Sequence, residues 1–266
     1  MAEFKVDLSV ILLTFNQEKF VREAIDSILS QNFSKDWEII VADDSSTDCT
    51  FEIVQSYQEK YPSLFRIYSN DQNLGLALNY QKAILQARGK YIAYLEGDDY
   101  WTDDLKLQKQ MRFLEENPSS ILAFHDFILV GEDGSLISDS NLKNHTLRRN
   151  RTKNDMITGC LIHQNTIMFR NVIGNLPRGF FRAKNHDTFL VAFLSNWGIA
   201  GYVECNPLHY RILEDSLWSS LSSHKKHWNG LVTYVNILSI VSIKYYPILI
   251  RKIFTKLYHV IKGGMF

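Results

Sequence analysis

Within its first hundred residues the chain repeats one pattern four times: a short apolar run, a polar cluster, then apolar residues at helical spacing. The runs are residues 8–14, 37–42, 65–68 and 91–95. After the first, Phe20, Val21, Ala24, Ile25, Ile28 and Leu29 recur with the spacing of one helix face. After the second, Phe51, Ile53, Val54 and Tyr57 do the same and stop before Pro62. A third helix is expected over about residues 76–87, with Gly89 as its left-handed terminating glycine. Strand–helix alternation of this kind predicts an α/β fold, a mostly parallel, Rossmann-like sheet with helices on both faces. In such sheets ligands sit beyond the carboxyl ends of the strands. The polar clusters Thr14-Phe15-Asn16, Asp43-Asp44, Asn73-Leu74-Gly75 and Glu96-Gly97-Asp98-Asp99 all fall at that rim.

The last cluster carries the most chemistry. The run Tyr91-Ile92-Ala93-Tyr94-Leu95 ends in Glu96, Asp98 and Asp99. Like charges so close repel one another. A divalent cation relieves that repulsion, and hard oxygen ligands suit Mg²⁺ or Mn²⁺. Gly97 lets the backbone turn sharply against a ligand. A solvated acidic turn is the plainer alternative.

Several classes are excluded. No GxGxxG follows the first strand and no GxxxxGK[ST] occurs, so neither a dinucleotide cradle nor a P-loop is supported. Lys+Arg and Asp+Glu balance at 29 each, so the overall charge names no partner and no nucleic acid is expected. The three cysteines are scattered, without CxxC or zinc spacing, as reduced thiols of a cytoplasmic protein would be. The first residues lack a signal-peptide pattern. No stretch reaches the roughly 18 apolar residues that span a bilayer.

The second half is less regular. Residues 121–130 read as one strand, with Glu132-Asp133-Gly134 as a hairpin turn. Residues 141–154 read as a loop, 160–170 as a strand, 187–194 as a helix and 201–210 as a strand. From Ser216 onward there is no Asp or Glu, while Lys225, Lys226, Lys244, Arg251, Lys252, Lys256 and Lys262 are basic. Beyond Tyr245-Tyr246-Pro247 the apolar and basic residues interleave as in an amphipathic helix. Such a tail suits an anionic membrane face, a helix packed on the domain, or a dimer contact.

Taken in order, residues 9–16, Val41-Ala42-Asp43-Asp44-Ser45-Ser46-Thr47-Asp48, Asn73-Leu74-Gly75 and Glu96-Gly97-Asp98-Asp99-Tyr100-Trp101 resemble a family 2 glycosyltransferase with the GT-A fold. The last motif is familiar from bacterial polysaccharide-assembling members. The resemblance is strong over residues 8–117 and weaker to about 219. It implies a catalytic domain over 1–223, with a nucleotide-sugar half to about 117 and an acceptor half beyond, followed by a basic helical tail over 224–266. It implies inverting transfer of a sugar from a nucleotide-sugar donor, with UDP favoured, to a glycan or lipid-linked glycan.

By the same resemblance Thr14, Phe15, Asn16, Asp43, Asp44, Asn73, Gly75, Glu96, Gly97 and Asp98 hold the donor. Asp98 is the main metal ligand, with Asp99 and Glu96 in support. Glu96 departs from the family's commoner Asp. Asp187, in Asn185-His186-Asp187-Thr188, matches the general base, although His186 stands where Glu is often found. The plainer role for Asp187 is a helix cap, and Asp126 is the runner-up base. Arg211 is a candidate phosphate contact or an ordinary ion pair. Leu213 stands where related members show a histidine. Trp101 is a candidate for stacking on a sugar or for core packing. A nucleotidyltransferase and a catalytically inactive sugar-nucleotide scaffold are the competing classes. The expected place is the cytoplasm, at the inner face of the cell membrane, as a monomer or homo-oligomer.

Overall fold

The computed structural model describes residues 4–139, 148–213 and 221–263. β1 (Val6–Thr14), α1 (Val21–Leu29), β2 (Trp37–Asp43), α2 (Thr50–Lys60), β3 (Phe65–Ser69), α3 (Leu76–Gln86) and β4 (Gly89–Glu96) follow the expected alternation. α4 (Lys106–Glu116) and β5 (Ser120–Phe124) come next. The second half holds β6 (Phe127–Val130), β7 (Leu136–Ser138), α5 (Lys153–Ile157), β8 (Met168–Arg170), α6 (Arg178–Arg182), α7 (His186–Leu194), β9 (Ile199–Tyr202) and β10 (Leu208–Arg211). Two tail helices, α8 (Ser223–Ile237) and α9 (Tyr246–Gly263), complete the described chain.

The main sheet has the order β3-β2-β1-β4-β8-β5-β9, and β8 alone runs against the rest. A smaller sheet, β10-β6-β7, stands apart. In β1 the side chains of Leu8, Val10 and Leu12 join one buried cluster, with α1, α2 and α4. Ile11 and Leu13 join the other, with α3, α7 and α8. Burial on both faces explains why these strands read as continuous apolar runs. The order reverses at β1, between β2 and β4, where an open α/β sheet offers its ligand crevice.

Several expectations are corrected. Gly89 does not terminate a helix; it starts β4, and a β-carbon there would lie 2.3 Å from the backbone nitrogen of Ser9. Close approach of β1 and β4 is what demands glycine. Residues 121–130 form two strands in different sheets. The break falls at Asp126, whose carboxylate accepts the Phe127 N–H at 2.8 Å. Within residues 160–170 only β8 is strand. His163 accepts the Asn165 N–H, and the Thr166 hydroxyl donates to His163 O, which winds Gln164–Thr166 into a 3-10 turn. Residues 201–210 are split at Pro207, which has no N–H to give a ladder. Of the loop expected over 141–154, residues 141–147 lie outside the described residues, and α5 begins at Lys153 behind a capping box from Thr152 to Asp155. The Glu132-Asp133-Gly134 turn does join the antiparallel β6 and β7.

At the amino end of the sheet, buried Glu38 accepts from Ser9 Oγ at 2.7 Å, from Arg66 at 2.8 Å and from the Arg88 N–H at 2.9 Å. Burial raises its carboxyl, but Ser9, Arg88 and Arg66 together bring it below the usual range. Glu38→Ala is expected to cost about 2–3 kcal/mol in urea unfolding, because it strands buried donors around the hole. A loss under about 0.5 kcal/mol would show the cluster to be solvated.

Candidate active site

The carboxyl ends of β1 and β2 meet in register, Thr14 beside Asp43. The Thr14 hydroxyl donates to Asp43 at 2.9 Å, and Ser46 donates to Asp43 through its hydroxyl at 2.6 Å and its N–H at 2.9 Å. Asn16 and Ser45 both adopt positive φ, 51° and 64°. Such backbone is uncommon outside glycine and clusters at functional sites. Asn16 Oδ1 accepts the Thr47 N–H at 2.8 Å, tying the two strand ends together. Phe15 is 42 % exposed at this rim.

Asp44 is buried and accepts three bonds: from Asn70 Nδ2 and the Leu74 N–H at 2.9 Å, and from the Gly75 N–H at 2.8 Å. Asn73 Oδ1 also accepts the Gly75 N–H, at 2.9 Å. Gly75 has φ of 80°, so a side chain there would be strained. Asp44 thus shapes the Asn73–Gly75 loop, and a carboxylate with about four acceptor positions keeps one more.

β4 delivers the acids. Glu96 lies beside Leu13 of β1, and the Gly97 N–H donates to Leu13 O at 2.9 Å. A β-carbon on Gly97 would come 2.5 Å from Gln17 Oε1 and 3.1 Å from Thr14 Cγ2. Oxygens of Glu96, Asp98 and Asp99 all lie within 4.8 Å of one another. Burial, then the charge of Asp98, pushes Glu96 up to about 7. Burial also raises Asp98, and burial with both neighbouring acids raises Asp99. Three carboxylates that resist ionising together form a hard-oxygen donor set that fits Mg²⁺ or Mn²⁺.

Neighbours orient this set. Buried Asn165 donates to Asp99 through Nδ2 and reaches Glu96 at 3.4 Å. The Arg211 N–H donates to Asp99 at 2.8 Å, and Arg211 Nε donates to Asp98 O at 2.9 Å. The Arg211 guanidinium also donates to Glu132 O and pairs with Glu23. Arg211 is buried and braces the acidic turn, and its ion pair with Glu23 is the second of its two readings. Trp101 takes the packed one of its two readings. Only 3 % exposed, it donates Nε1–H to Asn165 O at 2.9 Å and lies under Lys106, so its faces are core, not sugar platform.

Asp187 sits in the first turn of α7 and accepts the Thr188 N–H at 2.8 Å. Its charge is a small contribution to the rise of Glu96, behind burial and Asp98. Burial raises the Asp187 carboxyl. Asp126, the alternative base, is buried and pairs with Arg148 at 3.5 Å. His125 is buried and pushed down to about 3 by burial and then by Lys106, while Arg170 braces Ser120 O and Leu114 O. Gln17 and Asn165 had no sequence signal: each reaches the acids only through folding.

Raised carboxyls set the pH behaviour. Between about 4.5 and 7 the folded chain binds protons at Glu96 that the unfolded chain has released. Without metal, stability from this site is therefore present at low pH and falls as pH rises through about 7. A divalent ion held by these carboxylates would reverse the trend, because its binding displaces those protons. Melting curves are expected to show a larger Mn²⁺ shift at pH 7.5 than at pH 5.5; the opposite order would contradict the carboxylate site.

Residues 9–176 match the family model for glycosyl transferase family 2. The chain belongs to glycosyl transferase family 2. The family assignment decides against the nucleotidyltransferase class. A putative teichuronic acid biosynthesis glycosyltransferase of Bacillus subtilis, TuaG, is 30 % identical over 231 residues, covering 86 % of this chain and 88 % of that protein. An uncharacterised protein of Mycobacterium tuberculosis is 37 % identical over 163 residues, 61 % of this chain. The chain spans only 46 % of that longer protein. In solved structures the fold aligns with Staphylococcus aureus TarS in complex with UDP at a TM-score of 0.66, 21 % identity, 91 % of this chain and 69 % of that one. It also aligns with a Pyrobaculum calidifontis mannosyltransferase in complex with GDP-Man and Mn²⁺, at a TM-score of 0.70, 16 % identity, 98 % and 74 % coverage. The family 2 fold here is the GT-A one, a mostly parallel sheet flanked by helices.

Proposed function

We propose that this family 2 chain is an inverting glycosyltransferase that moves a sugar from a UDP-sugar to a hydroxyl of a growing bacterial surface glycan. The observation that carries the reading is the convergence of Glu96, Asp98 and Asp99 at the end of β4, on the rim of the sheet. Support for the donor comes from the solved TarS complex with UDP, and support for Mn²⁺ from the mannosyltransferase complex. Support for the glycan comes from the teichuronic acid assignment of TuaG.

In this reading Thr14, Phe15, Asn16, Asp43, Asp44, Asn73 and Gly75 hold base and ribose. Phe15, exposed at the rim, offers an aromatic face to the base. Glu96, Gly97 and Asp98 line the diphosphate, and Asp98 holds Mn²⁺ or Mg²⁺ with Asp99 and Glu96. When bound, the ion neutralises charge that grows on the leaving diphosphate. Asp187 accepts the proton of the acceptor hydroxyl as that oxygen bonds to the anomeric carbon. The bond from that carbon to the diphosphate breaks on the opposite face, so the configuration inverts. Burial lifts the Asp187 carboxyl toward working pH, which suits a base. The test is nucleotide release from UDP-, dTDP-, GDP- and CDP-sugars with Mn²⁺ and a lipid-linked acceptor. Release from one donor, dependent on acceptor, is the expected result. Tight nucleotide binding without release from any donor would favour an inactive scaffold.

The same reading places the chain on the inner face of a cell membrane. No described helix is long and apolar enough to cross a bilayer. α8 packs into the core through Tyr234 and Ile237, and α9 joins through Leu249. The outer face of α9 leaves Ile250, Phe254, Tyr258 and Ile261 exposed on one stripe, and Arg251 and Lys262 are exposed on the same helix. An apolar stripe with cations, on a tail without acids, matches an anionic lipid surface. Phe254→Glu with Ile261→Glu is expected to abolish sedimentation with phosphatidylglycerol vesicles and leave nucleotide binding intact. Unchanged sedimentation would remove the membrane assignment. Concentration-dependent dimers lost in the same variant would give the stripe to a second copy.

A further inference from the structure

We propose that Thr233, on α8, is a positioning residue for Asp187, which makes the C-terminal hairpin part of the transfer machinery; this rests on the assignment of Asp187 as base. Thr233 is fully buried. Its Oγ1 accepts the backbone N–H of Lys184 at 3.1 Å and of Asn185 at 3.0 Å. The same hydroxyl donates to Asn229 O at 2.8 Å. One donor and two acceptor positions are all a hydroxyl has, so the group is saturated.

Those two N–H groups belong to the turn that enters α7. Asn185 stands at the N-cap position of α7 but makes no capping bond with its own side chain. The entry to the helix is therefore held from outside, by Thr233, and Asp187 lies two residues further on, in the first turn. The next residue of α8 tightens the same junction. The Tyr234 hydroxyl donates to Thr158 O at 2.8 Å. Gly159, at φ of 81°, has no room for a β-carbon, which would stand 2.3 Å from that hydroxyl oxygen and 3.9 Å from Thr188 Cγ2. Burial pushes Tyr234 up to about 12, with further contributions from Cys160 and from Asp187 itself. α8 thus packs against both the 158–159 turn and the Asp187 segment.

Valine copies the shape of threonine but accepts no hydrogen bond. In Thr233→Val the two N–H groups lose their acceptor inside the protein, and the turn must shift to satisfy them. A shift of about 1 Å in a catalytic group costs on the order of 100-fold in rate. Thr233→Val is therefore expected to lower kcat by about 10- to 100-fold. Donor KM and Mn²⁺-dependent UDP affinity should stay within about twofold, since Thr233 touches no part of the donor rim. Thr233→Ser should recover most of the loss. The acid limb of the kcat profile should move in the valine variant, because the carboxyl changes its surroundings, and return in the serine variant.

Tyr246→Phe is the comparator. It removes the bond from the Tyr246 hydroxyl to Leu238 O, 3.2 Å, within the same hairpin but away from Lys184 and Asn185. It should lower Tm and leave kcat unchanged. If the valine variant does not fold, Thr233→Ser against Thr233→Ala makes the same comparison. A folded Thr233→Val chain with wild-type kcat, or a kcat loss shared equally by Tyr246→Phe, overturns the proposal. A wild-type chain that transfers no sugar, or an Asp187→Asn chain that transfers normally, instead removes the base assignment. With Asp187→Asn inactive, an unchanged Thr233→Val chain removes only the role of Thr233.

Discussion

Replacing Asp187 by asparagine is expected to lower sugar transfer by about 10³-fold while leaving donor binding intact. The substitution is nearly isosteric. An amide oxygen can still accept the Thr188 N–H, so the start of α7 keeps its local bond. What is lost is the capacity to take a proton from the acceptor hydroxyl. Single-turnover nucleotide release, read beside calorimetric UDP binding, separates the two effects. In the wild type, kcat should fall as pH drops through the carboxyl's raised range, because the protonated acid is no base. Transfer within about tenfold of wild type would deny Asp187 the role. Asp126 would be a poor substitute, since it is buried and paired with Arg148.

Asp98→Ala should have the second large effect, a loss of about 100-fold or more in Mn²⁺-dependent nucleotide affinity. Asp98 is half-buried, whereas Asp99 is fully buried and engaged by the Arg211 N–H and Asn165. Asp98 therefore has the freer carboxylate of the two. The same substitution should make the metal-free chain more stable near neutral pH. The Asp98 charge is one cause of the raised Glu96 and Asp99 carboxyls, and deleting it relieves them. Stability gained together with metal response lost is the signature of a cation site; a simple destabilisation would point to a structural acid.

The first half was legible because its elements obey local rules. β1, β2 and β4 are buried on both faces, so their sequences are unbroken apolar runs, and each ends where polar residues begin. Asp43, Asp44, Gly75 and the acidic motif follow from that rim. Gly89 was misread because a glycine after a helix and a glycine between close strands look alike in sequence. The second half was less legible because its strands are three to five residues long. They are divided by side-chain-to-backbone bonds at Asp126 and His163 that no periodicity reveals. Trp101 and Arg211 follow the same lesson. Their types suit sugar and phosphate, yet Trp101 is covered by Lys106 and bonded to Asn165, and Arg211 is spent on Asp98, Glu132 and Glu23. Asn165 and Thr233 act through contacts 66 and 48 residues away in sequence, so only the folded chain shows them.

The central claim is that the acids at the end of β4 make nucleotide binding depend on a divalent ion. Calorimetric titration of UDP into the wild-type chain, with Mn²⁺ and then with EDTA, tests it most directly. One UDP bound per chain in Mn²⁺ and none in EDTA is the predicted result. Equal affinity in both, or no binding of UDP in either, would contradict it.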